Sequence, residues 1–208
     1  MSLTKFERIR LVRQMGLNTQ DDILVTAEED WRAHRPWLDQ FDAYTVRTFP
    51  REGSKGGAEP SFEIITRKEF DNHWRRLLAE GWNLIIAEPI DPKDAALAGA
   101  ILRDGDWTEV EIVRGSGSIV RQVTHKGQVD ERFRVQVGDW TTDFMIDDAL
   151  AKIWEAERKR PHLVALKSVI YEFSWYLPKV GYKRENAIFW EITGRDRMNP
   201  GINPEEIG

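Results

Sequence analysis

The sequence predicts an α+β protein with two lobes, in which the larger lobe is built mainly on an antiparallel sheet. Amphipathic patterns of helical period occupy residues 66–82 and 141–160. The strand-like segments between them are separated by glycine-containing turns at residues 115–117 and 126–127, which is typical of hairpins. Strands that follow one another in this way, backed by few helices, indicate an α+β architecture.

The composition is that of an ordinary globular protein. Of the 208 residues, 41% are hydrophobic and 31% charged, which suits one domain or two lobes with a shared core. The net charge of −5 gives no overall field that would attract nucleic acid or an anionic membrane. No apolar run approaches the ~20 residues of a membrane span, so we expect a cytoplasmic protein without nucleic-acid or membrane contacts.

Two residue counts bear directly on chemistry. The sequence contains no cysteine, which excludes disulfides, thiolate metal sites and a cysteine nucleophile. It contains nine tryptophans, which predict several large buried or half-buried rings that each need a partner for the indole N–H.

The N-terminal part of the chain mixes helices and strands. Apolar residues recur at helical spacing over residues 4–15, and Gly16 ends this predicted helix. Residues 17–31 predict a turn, a short strand and a new helix start. A strand is expected at 42–50, ending at a proline, and the glycine-rich stretch 51–62 is expected to be a loop.

The remainder is predicted to be mostly β-structure. After the helix at 66–82, the nearly continuous apolar run 83–90 predicts a central strand. Residues 91–102 form a short segment without an assigned element. Further strands are expected at 108–115, 118–125 and 131–138, separated by glycine-containing turns. The helix at 141–160 follows them, and two more strands are expected after it, at 170–176 and 187–192.

These elements predict a division of the chain. We expect an N-terminal α+β lobe at residues 1–82 and a C-terminal β-rich lobe of the same module at 83–194. The tail at 195–208 carries proline and glycine without an apolar period, so it is expected to be poorly ordered.

Two glutamates lie inside the two most strand-like segments. Alternate residues of a strand share a face, so Glu172 points away from the aromatic residues at 171, 173 and 175. By the same alternation, Ile188, Trp190 and Ile192 share a face that Glu191 does not.

Pairing these two strands as a hairpin brings the glutamates together. If Tyr176 faces Ala187, Glu172 lies directly opposite Glu191, with the Cβ atoms ~5 Å apart. Two carboxylates this close do not both ionise cheaply unless a cation lies between them. One interpretation is a Mg²⁺ or Mn²⁺ ion held by both carboxylates and completed by substrate oxygens. The other is a polar outer face on which each glutamate pairs with a lysine or arginine from elsewhere.

Six short segments occur in a consistent order over residues 5–194. They are Lys5 ahead of "MGLNT", then "TVRTF" (45–49), "LIIAEPID" (84–91), "EIVRGSGSIVR" (111–121), "YEFSW" (171–175) and "IFWEITG" (188–194). Together they resemble the ATP-grasp fold in the branch of phosphoenolpyruvate synthase and pyruvate phosphate dikinase. The resemblance implies an ATP-grasp-like α+β fold that binds MgATP between two lobes.

The resemblance implies roles for individual residues. Arg47 matches an arginine that contacts nucleotide phosphates, with a surface arginine at a strand end as the alternative. Ala87, Glu88 and Ile90 fall at the hinge that lines the adenine pocket, although Glu88 could simply end a buried strand.

The metal and the phosphate-covering loop complete the implied site. Glu172 and Glu191 match the acidic or amide residues that hold Mg²⁺ on the ATP phosphates. Lys55, in "GSKGG" (53–57), suits a flap over phosphates, and a flexible surface loop is the alternative. Arg47 and Lys55 are therefore the predicted catalytic cations.

The sequence also departs from this branch. Thr193 stands where the family has an arginine two positions after its metal ligand, and the catalytic histidine domain and pyruvate-binding barrel are missing. We expect ATP and Mg²⁺ as cofactors. The expected reaction is phosphoryl transfer or ATP-dependent ligation onto an unidentified acceptor, either a small molecule or a group borne on a protein. A partner domain or chain could supply this acceptor. The alternative is a degenerate module that binds a nucleotide or a protein without catalysis.

Overall fold

The computed structural model describes residues 5–51, 60–90, 94–115, 123, 127–164, 168–176 and 187–194. The chain divides into two compact units. The smaller unit is continuous, from residue 20 to residue 91, whereas the larger unit combines residues 1–19 with residues 92–208. The division therefore differs from the predicted boundary between residues 82 and 83.

The helices and strands have the following bounds, numbered in chain order. The helices are α1 (Lys5–Gln14), α2 (Glu28–Ala33), α3 (Arg35–Leu38), α4 (Arg67–Phe70), α5 (Trp74–Ala79) and α6 (Phe144–Lys159), which a 3₁₀ turn (Pro161–Val164) follows. The strands are β1 (Asp22–Val25), β2 (Ala43–Pro50), β3 (Ser61–Thr66), β4 (Trp82–Ala87), β5 (Ala95–Asp104), β6 (Trp107–Arg114), β7 (Glu131–Gln136), β8 (Ser168–Tyr176) and β9 (Ala187–Gly194).

The smaller unit is a four-stranded antiparallel sheet in the order β1-β4-β2-β3, packed against short helices. Its core centres on Trp31, which stacks on Trp74 with ring centroids 4.5 Å apart. The apolar run predicted to be a central strand is β4, which pairs with β1 on one side and β2 on the other. This pairing places the boundary of the unit after β4 and not before it.

Two predictions in this unit were wrong in detail. The single helix predicted at 66–82 is two short helices, α4 and α5, and its last residue, Trp82, already belongs to β4. Thr66 caps the start of α4 through two reciprocal hydrogen bonds. Its side-chain hydroxyl accepts from the backbone N–H of Glu69, and its own backbone N–H donates to the carboxylate of Glu69. The strand β3, which starts at Ser61 inside the predicted loop, pairs with β2.

The larger unit is a five-stranded antiparallel sheet in the order β7-β6-β5-β8-β9. Its middle strand, β5, falls largely in the segment to which the sequence assigned no element. At Gly99 the neighbouring strand comes so close that an added Cβ would lie 2.2 Å from the carbonyl oxygen of Glu111. Glycine is therefore required there by the approach of β6.

Helix α6 covers one face of this sheet. Its buried residues Ile146, Leu150 and Ile153 join the main core of the unit. The Tyr171 hydroxyl donates to Glu157 Oε1 at 2.8 Å, and Arg103 Nε donates to Glu157 Oε2 at 3.0 Å. These contacts fix the C-terminal half of α6 to β5 and β8.

Helix α1 packs along β9, at the opposite end of the sequence. Gly16, with φ of +72°, ends the helix as predicted. Arg160 Nη1 donates to the carbonyl of Met15 at 2.7 Å. The N–H of Phe189 donates to the carbonyl of Asn18 at 2.8 Å, so the segment after α1 is tied to β9 by the main chain.

Several predictions lie outside the described residues. These are most of the strand expected at 118–125, the tail at 195–208 and most of the loop expected at 51–62. Among the described tryptophans, Trp175 Nε1 donates to Asp148 and Trp190 Nε1 donates to Ser174. The described helices include none that is both long enough and apolar enough to cross a membrane.

Candidate functional site

The two glutamates singled out by the sequence lie opposite each other on neighbouring strands. Glu172 of β8 pairs directly with Glu191 of β9, as predicted. Glu191 is 7% exposed, and Glu172 is half-buried. Two acidic side chains thus project from adjacent positions of one sheet, where like charges repel.

The register around this pair differs from the predicted one. Ala187 faces Trp175 and not Tyr176, because the pairing shifts by one residue between Glu172 and Phe173. Trp190 is the extra residue of the resulting β-bulge. Its indole donates to Ser174 Oγ at 2.9 Å, so Trp190 lies on the face of the glutamates, away from Ile192.

The pair belongs to a longer row across the same face of the sheet. Register pairs run from Arg132 through Glu111, Ala100 and Glu172 to Glu191, one residue from each strand. We call this set the carboxylate row. Ala100, in the middle, has only a methyl group beside Glu172. At the far end Glu111 Oε1 lies 2.5 Å from Arg132 Nη2, so its charge is balanced within the sheet.

A cation from helix α1 balances the other end of the row. Arg8 Nη1 lies 2.9 Å from Glu191 Oε2, with exposed side-chain fractions of 20% and 9%. The second interpretation of the glutamates, pairing with an arginine from elsewhere, is therefore what the structure shows for Glu191. Arg8 Nε is buried and has no hydrogen-bond partner among the described residues.

The described residues supply two neighbouring carboxylates but no complete metal site. Within the described part of the chain no group of three acidic or histidine side chains could hold an ion. Mg²⁺, however, is often bound by only one or two carboxylates together with substrate phosphates and water. Glu172 and Glu191 supply two carboxylates, and the buried Thr193 presents a hydroxyl on the same face.

Arg47 lies in the middle of β2, an inner strand of the smaller unit. Its register partners are Ser61 on β3 and Ile85 on β4. Val46, directly before it, enters the core together with Tyr44, so Arg47 lies on the other face of the sheet, where it is half-buried. The alternative of a surface arginine at a strand end does not hold, although the predicted contact with phosphates stays a prediction.

The predicted adenine-binding segment follows the end of β4. Ala87 is the last strand residue, and Ile90 is 4% exposed. The backbone N–H of Glu88 donates to Asp21 O at 3.0 Å, and its carbonyl accepts from Gln20 Nε2 at 3.0 Å. Both backbone groups of Glu88 thus already have protein partners.

Sequence reasoning missed two members of the site, and Lys55 lies outside the described residues. Arg8 could have been noticed, because it shares a helical face with the buried Val12 and Met15, at spacings of four and seven residues. Glu111 could not, because its place in the row depends on β5, which the sequence did not identify.

Comparison with known proteins finds similarity in structure only. No family model matches the sequence, and no curated protein does. The ADP complex of an N5-carboxyaminoimidazole ribonucleotide synthetase is 13% identical and has a TM-score of 0.51, over 92% of this chain and 44% of that one. The fold is ATP-grasp-like. It is a mixed α+β fold with antiparallel sheets, as the sequence predicted.

Two further solved structures with a similar fold contain bound peptides. A macrocyclase from Microcystis aeruginosa bound to its precursor peptide is 13% identical, with a TM-score of 0.48 over 90% of this chain and 51% of that one. An ATP-grasp ligase from Chryseobacterium gregarium, in complex with ADP and leader and core peptide, is 10% identical, with a TM-score of 0.49 over 91% and 51%. The chain spans about half the length of the solved structures that it resembles.

Proposed function

We propose that this ATP-grasp-like protein binds ATP with Mg²⁺ and uses it for phosphoryl transfer or ATP-dependent ligation. The observation that carries the proposal is the direct pairing of Glu172 with Glu191 on adjacent strands. Facing carboxylates are destabilising unless positive charge offsets them. Arg8 supplies such charge to Glu191, and a divalent ion held by both carboxylates would supply it to the pair. The ADP-bound state of a synthetase with this fold supports a nucleotide as the ligand.

Each candidate residue has one role in the proposal. In the larger unit, Glu172 and Glu191 hold the metal, which would neutralise charge on the nucleotide phosphates. In the smaller unit, Arg47 contacts a phosphate through its planar guanidinium, and Lys55 adds a second positive charge. Ala87 and Ile90 flank the adenine, with Glu88 contributing less than expected because its backbone groups are already hydrogen-bonded.

The acceptor is proposed only by class. It is a small molecule or a group borne on a protein. If this chain does not bind the acceptor by itself, a partner domain or chain delivers it. A relation to the phosphoenolpyruvate synthase and pyruvate phosphate dikinase branch is also part of the proposal. This relation rests on the six short segments that occur in a consistent order, and the solved structures compared above do not test it.

Metal-dependent nucleotide binding tests the proposal. Calorimetric titration of ADP and of a non-hydrolysable ATP analogue should give tighter binding with Mg²⁺ than with EDTA. Even residues that only support metal ligands change metal affinity by ~10–100-fold when replaced, so Glu172→Gln and Glu191→Gln should each weaken Mg²⁺-dependent binding at least ~10-fold.

The matched control is Glu109→Gln. Glu109 lies on β6 outside the carboxylate row and pairs with Arg134, so its replacement removes one acidic charge from the same sheet. It should leave nucleotide affinity unchanged. Equal affinity of wild-type protein with and without Mg²⁺, or an unchanged Glu191→Gln variant, would refute the assignment of the metal ligands.

A second candidate function is nucleotide binding without catalysis. The ion pair of Arg8 with Glu191 favours it, because one of the two proposed metal ligands already has a positive partner. Measurement of ADP formation with mixed amine and carboxylate acceptors separates the two candidates. Metal-dependent ATP binding with no ADP formation above the Glu191→Gln background would support the binding-only function.

A further inference from the structure

Arg8 is placed so that it can act as more than a structural ion pair. Helix α1 directs it to the end of the carboxylate row, where Nη1 contacts Glu191 at 2.9 Å. The two side chains are mostly removed from solvent, with exposed fractions of 20% and 9%. Because a guanidinium stays protonated at all ordinary pH values, Glu191 always faces a full positive charge from this direction.

The contact leaves part of the guanidinium without a partner. Arginine and carboxylate often pair through two parallel hydrogen bonds, which use two nitrogens of the guanidinium. Here Arg8 Nε is buried and lacks a partner among the described residues. A buried donor without a partner is costly in the state described, and an acceptor that reaches it in another state of the protein would relieve this cost. An oxygen of a bound anion is such an acceptor.

The ion pair also bears on metal binding. A divalent ion held by Glu172 and Glu191 would bring positive charge that attracts a polyphosphate. Before the nucleotide binds, however, Arg8 and the metal compete for the carboxylate of Glu191.

We propose that Arg8 is a displaceable counter-cation that couples metal binding to nucleotide binding. Without nucleotide, Arg8 occupies Glu191 and lowers the affinity of the pair for a free divalent ion. When metal and nucleotide bind together, Arg8 leaves Glu191 to the metal and donates to a phosphate oxygen. This inference rests on the proposed function, because it assumes that Glu172 and Glu191 hold the metal.

Replacement of Arg8 should therefore change two affinities in opposite directions. In Arg8→Gln, free Mn²⁺ should bind about tenfold more tightly, and ADP at saturating Mg²⁺ about tenfold more weakly, within the ~5–150-fold range of ordinary coupling. Loss of the free Mn²⁺ signal in electron paramagnetic resonance measures the first affinity, and calorimetry measures the second. A role of Arg8 in packing alone would lower both affinities or neither.

Two further variants keep the test decisive. Arg8→Lys retains the positive charge, so its Mn²⁺ affinity should stay near the wild-type value even where Arg8→Gln disturbs the helix. Arg10→Gln removes one positive charge from an exposed position of the same helix, beside Phe6, and should change neither affinity.

The possible outcomes distinguish this inference from the proposed function. Wild-type protein that binds Mg²⁺ and ADP, with Arg8→Gln shifting both affinities in the same direction or not at all, would overturn the role of Arg8 alone. Wild-type protein that binds neither Mn²⁺ nor ADP would overturn the proposed function and this inference together. Opposite shifts in Arg8→Gln, absent in Arg10→Gln, would establish the coupling.

Discussion

Replacement of Gly99 by alanine should destabilise the larger unit more than an ordinary surface change. Gly99 lies in β5, the middle strand, opposite Ile112 on one side and Phe173 on the other. An alanine Cβ would lie 2.2 Å from the carbonyl oxygen of Glu111 and 2.7 Å from Ile112 Cγ2. Favourable contacts between such atoms begin near ~3.5 Å, so more than ~1 Å of overlap must be relieved.

The neighbouring atoms cannot relieve this overlap easily. The oxygen of Glu111 is part of the β6 main chain, and Ile112 is fully buried with a branched side chain that has few rotamers. The strands must therefore move apart. Overpacking of a core costs ~1–3 kcal/mol where side chains can adjust, and a clash with main chain should reach the upper end, about 3 kcal/mol. For a chain of this size each kcal/mol lowers the melting temperature by ~2–4 °C, which gives a decrease of about 6–12 °C.

Calorimetric and circular-dichroism melting measure the change, and hydrogen exchange of peptides from β5 and β6 locates it. Ala98→Gly is the matched control, because it makes the reverse change at the adjacent buried position of β5. It should cost about 1–2 kcal/mol through a lost methyl group and a more flexible main chain. A Gly99→Ala protein that melts within ~2 °C of wild type, with unchanged exchange in β5, would refute the close approach of the two strands.

Two tyrosine hydroxyls give further tests in separate units. Tyr171→Phe removes the donor to the carboxylate of Glu157 and should cost about 1.5–3 kcal/mol in urea denaturation, because hydrogen bonds to charged groups are the stronger ones. Tyr44→Phe removes a neutral hydrogen bond to Leu38 O and should cost only about 0.5–1.5 kcal/mol, so equal losses would contradict this ranking. Burial raises the pKa of Tyr44 from 10.0 to about 12, so the unfolded chain releases this proton first and stability should fall as the pH rises from 10 to 12. Denaturation across this range should show a smaller decline for Tyr44→Phe than for wild type, and identical declines would exclude Tyr44 as a source of the effect.

Much of the fold could be predicted because its elements carry strong local patterns. The apolar run of β4 and the amphipathic period of α6 both identify elements that the structure contains. Strand β5 has no such pattern. Its sequence, AALAGAILRD, is rich in alanine and glycine, which have low β-propensity, and most of it is buried on both faces, so no alternation remains. Its position as the middle strand is decided by how closely the neighbouring strands can approach it.

The site was predictable only where it depends on pairing between neighbouring segments of the chain. A simple hairpin register between β8 and β9 predicted Glu172 opposite Glu191, and the structure contains this pair although the register shifts directly beside it. The bulge at Trp190 could not be predicted from the sequence. One extra residue leaves the hydrophobic pattern of β9 almost unchanged, yet it moves the strand residues before the bulge to the opposite face of the sheet. Arg8 lies 183 positions before Glu191 in the sequence, and only the packing of α1 on β9 brings the two together. Local pattern carries no information on such a contact.

The discontinuous composition of the larger unit has a consequence for synthesis. The smaller unit is one uninterrupted stretch, so it can fold while the ribosome is still translating the rest. Helix α1 is made long before β9, so the two cannot pack together until β9 has left the ribosome. The nascent chain therefore holds Arg8 without its carboxylate partner until then, and chaperones would meet the protein in that half-assembled form.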